Sequence, residues 1–377
     1  MRILLWSEIF WPIMGGGSQF SADLAVELQR REHDVLVVTR RDAASQLETD
    51  EYRGVSIRRF PFHEALFERR VDDIARWRSL ILGLRRQFEA ELVHTTSFGP
   101  SMWFEAVTAG ADSAPHVVTL FGEEISEAAG LESTLHRALR GAAWVTAPSR
   151  ATLEYALRLV PECEARSSVI PVGCVVDARH PDPAASGAPL LCIGRLVRDK
   201  GFDIALTALP AILRRRPDVR LRIAGDGPLR ELLMQQAARL GVSRAVEFLG
   251  WVSPARVASL LAASSILLIP SRAEALPLVG VQAALAARPV VAAAVGGIPE
   301  LVIDRETGIL VEPDSPEALA GAVLDLLERP DQAERLGRAA RSLGCERFRL
   351  ERVVDAYEAL YRRVVAGGSA AGARPCE

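Results

Sequence analysis

At 377 residues the chain is too long for a single hydrophobic core and suits two lobes with trimmings. Hydrophobic residues make up 49%, charged residues 25% and aromatics 6%, which excludes a disordered scaffold. A formal net charge of −3 builds in no global attraction to nucleic acid, so any basic surface must be local.

The pattern from the start is that of a parallel α/β protein. Met1 to Gly17 carries a short apolar run that Ser7 and Glu8 interrupt before signal-peptide length, and reads as a first strand, Ile3 to Trp6. Ser18 reads as the cap of a helix carrying Phe20, Leu24 and Leu28, and Val35 to Thr39 completes a βαβ unit. Strands are then expected at Leu92 to Thr95, His116 to Leu120, Trp144 to Ala147 and Ser168 to Pro171. Asp177 to Pro189, rich in Pro, Ala and Gly, reads as an interdomain linker. The second half predicts strands at Leu190 to Ile193, Val219 to Ala224, Val246 to Leu249, Ile266 to Ile269, Val290 to Ala294 and Gly308 to Val311. Ser253-Pro254 and Ser315-Pro316 mark helix starts, a hydroxyl cap followed by proline. Leu276 to Pro299 has Arg288 as its sole charge, but Pro277, Pro289 and Gly296-Gly297 divide it into loop, helix, turn and strand instead of a membrane span. An amphipathic helix is expected from Leu350 to Val365, with a disordered tail over 366–377. The expected domains are therefore 1–176 and 177–349, two Rossmann-like lobes facing a central cleft, with helix 350–365 following. Ligands in such sheets sit beyond the carboxyl ends of the strands.

Several loops at those ends carry chemistry. Gly15-Gly16-Gly17 precedes a helix, but Phe20 stands where a dinucleotide fingerprint needs its third glycine, so a nicotinamide site is not expected. GRLVRDKG, Gly194 to Gly201, places Arg195 and Lys200 between a strand and a helix. Of 45 basic residues Lys200 is the one lysine, which points to a compact ammonium for a phosphate group as against an accident of composition. Gly225-Asp226-Gly227-Pro228 opens another helix with amides facing the strand ends. In PSRAEALPLVGVQAALA, Glu274 follows a buried strand and Gln282 lies further on in the helix. The cysteines, Cys163, Cys174, Cys192, Cys345 and Cys376, have no zinc-type spacing and read as free thiols in a cytoplasmic protein.

These phrases, with VIPVGCVVD, FLGWV, RPVVAAAVGGIPELV and ETGILVEPDSPEALA, resemble the family 4 retaining glycosyltransferases of GT-B fold along nearly the whole chain. The resemblance implies transfer of a sugar from a nucleotide diphosphate sugar, a UDP- or GDP-sugar, to a glycan, lipid-linked or small-molecule acceptor, with no metal and no cofactor. It implies an N-terminal acceptor domain and a C-terminal donor domain, with the last helix crossing back. Arg195 and Lys200 would grip the diphosphate, helped by the Leu278 and Val279 amides. Gly225 with Gly250, Trp251 and Val252 would cradle the base, and Gly16 and Gly17 would lie close to the phosphates. Glu274 would contact the transferred sugar, and Gln282, replacing the second glutamate of the family pair, would face the ribose. After VVTL the family carries a histidine near the reacting sugar; here Phe121 occupies that loop, followed by Glu123 and Glu124 as candidate substitutes. His94 and His116 fall on strand positions and read as packing or hydrogen-bonded residues.

Between Arg53 and Arg86 nine arginines face four acids, interleaved with Phe60, Phe62, Phe67, Trp77, Leu80, Ile81 and Leu84. This segment reads either as a basic face for peripheral contact with an anionic membrane or as a solvated helix with its apolar side in the core. Two alternative functions stand beside transfer: an inactive nucleotide-sugar binding relative, suggested by Phe121, and another GT-B enzyme such as a sugar-nucleotide epimerase.

Overall fold

The computed structural model describes residues 1–13, 15–43, 46–109, 114–122, 132–176 and 187–371. The chain divides into two units, Met1–Pro171 with Leu350–Glu377, and Val172–Arg349. The division falls ahead of the expected linker because Val172 and Cys174 are buried, and the Cys174 N–H donates to the Phe348 carbonyl at 3.0 Å. Residues 177–186 of that linker lie outside the described residues.

The first unit is built on β1 (Arg2–Trp6), α1 (Gly16–Arg30), β2 (Asp34–Arg40), β3 (Thr49–Tyr52), β4 (Val55–Phe60), α2 (Phe62–Phe67), α3 (Val71–Phe88) and β5 (Leu92–Thr95). It continues with α4 (Met102–Thr108), β6 (His116–Thr119), α5 (Glu132–Gly141), β7 (Trp144–Ala147), α6 (Arg150–Leu159) and β8 (Ser167–Val169). The sheet order is β3-β4-β2-β1-β5-β6-β7-β8, parallel except where β3 pairs with β4. Ser18 does not cap α1. Gly15 is the N-cap, and the Ser18 hydroxyl, three residues in, accepts from the Gly15 N–H at 2.6 Å, the returning half of a capping box.

The hairpin β3–β4 is absent from the sequence-based expectation. Its two-residue turn, Arg53-Gly54, takes positive φ at both positions, and arginine there carries none of the Asn-Gly or Asp-Gly signal. The segment from Arg53 to Arg86 is correspondingly less basic outside than its charge count implies. Arg59 is buried against Asp50 at 2.6 Å, and Arg85 is buried beside Glu105 at 3.7 Å. Trp77 and Ile81 turn inward to a core shared with Trp6, Phe60, Phe62 and Phe104.

The second unit holds β9 (Leu190–Ile193), α7 (Phe202–Arg215), β10 (Leu221–Ala224), α8 (Arg230–Arg239), β11 (Val246–Gly250), α9 (Pro254–Ala262) and β12 (Ile266–Ile269). There follow α10 (Leu278–Leu285), β13 (Val290–Ala293), α11 (Ile298–Leu301), β14 (Ile309–Val311), α12 (Pro316–Glu328) and α13 (Pro330–Arg347). Its strands are parallel in the order β11-β10-β9-β12-β13-β14. β12 and β13 are buried at every position, as strands covered on both faces require. Ser253 and Ser315 cap α9 and α12, accepting from the Arg256 and Ala318 N–H groups. Among the described residues no helix is long and apolar enough to cross a membrane.

The last helix, α14 (Leu350–Ala371), packs on the first unit and runs six residues past its expected end; 372–377 lie outside the described residues. A polar network seats it. The Tyr361 hydroxyl lies 2.7 Å from His94 Nδ1, and His94 Nε2 lies 2.7 Å from Thr119 Oγ1, which is 3.3 Å from the Tyr357 hydroxyl. At the other edge Arg31 reaches Asp355 and Glu358, and His33 Nε2 lies 2.7 Å from Glu358.

Candidate functional site

In the second sheet the chain leaves β9 toward β10 and β11 on one side and reaches β12 on the other, so the loops after β9 and β12 diverge at a topological switch point. The β9 loop ends in a short 3-10 turn, Arg198–Lys200, and Gly201 at φ 63° starts α7. A Cβ on Gly201 would sit 1.9 Å from the Pro270 carbonyl oxygen, so only glycine lets these two loops touch. That closeness brings Lys200 Nζ to 2.7 Å from Glu274 Oε1, which also accepts from the Ser271 hydroxyl at 2.9 Å. The carboxylate side chain is 8% exposed and the ammonium 31%, so the pair presents its cation outward.

Glu274 is held from behind as well. The Gly297 N–H donates to the Glu274 carbonyl at 3.1 Å, and a Cβ on Gly296 would overlap that same oxygen at 1.8 Å. Beside the pair, α10 begins at Leu278 behind Pro277, which supplies no side-chain cap. The first amides of α10, Leu278 and Val279 among them, are the positive end of a helix left for an anion. Gln282 is half-buried one turn along, on the same face as Leu278. Arg195 is exposed on the β9 loop.

The three loops at β9, β10 and β11 are locked together through their backbones. The Gly225 N–H donates to the Gly250 carbonyl at 2.7 Å, and the Leu196 N–H donates to the Asp226 carbonyl at 2.8 Å. Trp251 follows at 61% exposure, with Val252 half-buried after it. The structure therefore brings Lys200 and Glu274 into contact and sets Gly225 beside Gly250. Ser271, Gly296 and Gly297 belong to the same site and were not singled out from sequence, because a serine and two turn glycines carry no chemical signal of their own.

Gly16 and Gly17 open α1 in the first unit, and Phe121 lies over Gly17 and edge-on to Phe20 at 5.7 Å. Glu123 and Glu124 lie outside the described residues. Neither His94 nor His116 substitutes for an imidazole at Phe121. His94 docks α14, with burial pulling its pKa down to about 3, and His116 Nε2 lies 2.8 Å from Thr95 Oγ1. His63 is engaged elsewhere, its Nε2 lying 2.7 Å from Glu8 Oε1 and 3.3 Å from Arg40 Nη1.

The first sheet has its own switch point, between β1 and β5, and a residue that the sequence marks only as a break in the first apolar run occupies it. Glu8, 3% exposed, takes His63 Nε2 at 2.7 Å on one oxygen and the Ser101 N–H at 3.0 Å on the other. Burial alone would raise its pKa, but the His63 and Ser101 hydrogen bonds prevail and hold it below the usual carboxylate range. A lone acid directly after a buried strand was the signal available.

Comparison with known proteins supplies the family. The family model for glycosyl transferases group 1 matches residues 184–343, and that for Glycosyltransferase Family 4 matches residues 14–178. The chain belongs to the family 4 glycosyltransferases. Glycogen synthase of Mycobacterium tuberculosis is 29% identical over 400 residues, spanning 96% of this chain and 94% of that protein. The GDP-mannose-dependent alpha-(1-6)-phosphatidylinositol monomannoside mannosyltransferase of Mycolicibacterium smegmatis is 34% identical over 190 residues, 46% of this chain and 50% of that protein. The solved structure of Anabaena HepE with UDP and glucose superposes with a TM-score of 0.78 at 23% identity, covering 95% of this chain and 98% of that one. That likeness shows the GT-B fold of this glycosyltransferase.

Proposed function

We propose that this glycosyltransferase moves a sugar from a UDP- or GDP-sugar to a hydroxyl of a glycan, lipid-linked or small-molecule acceptor, with retention and without a metal ion. The observation that carries the reading is the Lys200–Glu274 contact at the β9–β12 switch point, beside the uncapped start of α10. A cation, a helix N-terminus and a buried carboxylate within one loop pair suit a ligand that is anionic at one end and hydroxyl-rich at the other.

In this reading the diphosphate lies against Lys200, Arg195 and the Leu278 and Val279 amides, and the base rests by Gly225 and Trp251. Gln282 faces the ribose and Glu274 accepts from a hydroxyl of the transferred sugar. As the bond from the anomeric carbon to the phosphate oxygen breaks, that oxygen keeps the electron pair, and its new charge falls on groups already positive. The acceptor hydroxyl enters from the face the diphosphate leaves, which preserves configuration, and its proton passes to the departing phosphate oxygen. The relative named for GDP-mannose and the neighbour solved with UDP support a nucleoside diphosphate donor and leave both bases in play.

The test is calorimetric titration with UDP and GDP, followed by proton NMR of donor sugars incubated with the protein, with and without EDTA. Binding of one diphosphate, with slow release of sugar in its original anomeric form and no effect of EDTA, is the expected result. Inverted product, or turnover that EDTA abolishes and magnesium restores, overturns the mechanism. Binding without hydrolysis or transfer across a broad acceptor panel assigns the protein to nucleotide-sugar binding instead, the reading that Phe121 favours.

A further inference from the structure

We propose that Arg272 is a positioning residue that sets the register of Lys200 against Glu274, an inference that rests on the donor-site reading above. Arg272 stands two residues before Glu274, and its guanidinium reaches back across the β9 loop. Nη1 and Nη2 donate to the two Asp203 carboxylate oxygens at 2.9 and 2.7 Å, a planar fork on a residue of the first turn of α7. Nη1 also donates to the Arg198 carbonyl at 2.9 Å, and Nε donates to Asp314 Oδ1 at 2.6 Å. The Arg272 backbone N–H adds a bond to the Asp199 carbonyl at 2.7 Å.

These contacts grip the lysine segment on both sides, at Arg198 and Asp199 before Lys200 and at Asp203 after it. The same residue carries the chain that presents Glu274 two positions on. Asp314, just ahead of the Ser315 cap, ties the assembly to the start of α12. The grip is electrostatic as well as geometric: the Arg272 hydrogen bond holds the Asp203 carboxyl below its ordinary range. Lysine could not replace arginine here, since one ammonium cannot span two carboxylates and a carbonyl in fixed directions. The fork of Arg216 on Asp218, whose Nη1 also donates to the Leu327 carbonyl at 3.2 Å, lies just past the other end of α7 and offers a control away from the lysine segment.

The lone lysine makes the register directly observable. Labelling the full chain with 15N-lysine yields a single backbone amide signal, that of Lys200. Arg272→Gln should displace that signal in the same direction as Glu274→Gln does. It should also weaken UDP or GDP binding about tenfold and lower kcat for donor hydrolysis about tenfold, while Arg216→Gln leaves all three unchanged. Asp203→Asn and Asp314→Asn each remove one arm and should produce smaller displacements of the same kind; they serve if Arg272→Gln fails to fold. An unmoved Lys200 signal in folded Arg272→Gln, or equal effects in Arg216→Gln, overturns the proposal. A displaced signal in a protein that neither binds diphosphates nor turns over donor would uphold the clamp and remove the donor-site reading.

Discussion

Lys200 and Glu274 form an ion pair of unequal exposure, so their substitutions should not mirror one another. Lys200→Ala removes the cation proposed for the diphosphate and also leaves a carboxylate of 8% exposure without its ammonium. Together with Arg195→Ala, it is expected to weaken nucleoside diphosphate binding by about 1.5–3 kcal/mol per residue, with nucleoside affinity unchanged, by calorimetry. Glu274→Ala frees the ammonium, so diphosphate affinity should hold or tighten while turnover falls at least about a hundredfold, roughly 2.7 kcal/mol in the barrier. Gln282→Ala should do the reverse, losing roughly 1–2 kcal/mol of donor affinity with little change in maximal rate. Equal losses of affinity from Glu274→Ala and Gln282→Ala would place Glu274 away from the reacting sugar.

At the scale of elements, the loops are held by glycines whose replacement is steric and local. Gly201→Ala and Gly296→Ala would each drive a methyl into a backbone oxygen of the loop that carries Glu274. Both should abolish measurable donor binding while far-ultraviolet dichroism stays native. Gly241→Ala is the control: its φ of 71° is left-handed too, but nothing lies within 4 Å of its Cβ, so only about 1–2 kcal/mol of stability should go. What the sequence disclosed follows the same division. Leu190–Ile193 and Ile266–Ile269 were legible because strands buried on both faces are written as uninterrupted apolar runs. The β3–β4 hairpin was not, since Thr49–Tyr52 is polar and its turn begins with arginine. Lys200 and Glu274 stood out by composition and place. The clamp at Arg272 did not, because one arginine among 44 gains meaning only when the fold delivers Asp203 and Asp314 to it.

For the whole molecule, the buried His94 predicts a pH dependence with a definite sign. Its folded pKa, about 3, lies below the ordinary 6.5, so below pH 6.5 the unfolded chain takes up a proton that the folded one refuses. Stability should therefore fall with pH by up to about 1.4 kcal/mol per unit through this window. Glu8 and Glu358, both held low in the fold, lose their contribution only under more acidic conditions, below about pH 4.5. Urea midpoints at pH 7.5, 6.5 and 5.5 should show the decline, and His94→Gln, though less stable at pH 7.5, should flatten it; an unchanged slope would assign it to other groups. The same histidine lies beneath α14, which belongs to the first unit although 178 residues of the second precede it in the chain. A chain ended at Arg349 should keep a cooperatively folding second unit, seen as a retained unfolding transition, while the first unit loses its own. During synthesis on the ribosome the order of completion is consequently inverted: the first unit is made first and finished last. Until the last helix emerges, the side of the sheet that carries His94 and Thr119 lacks its cover, the kind of incomplete surface that chaperones recognise.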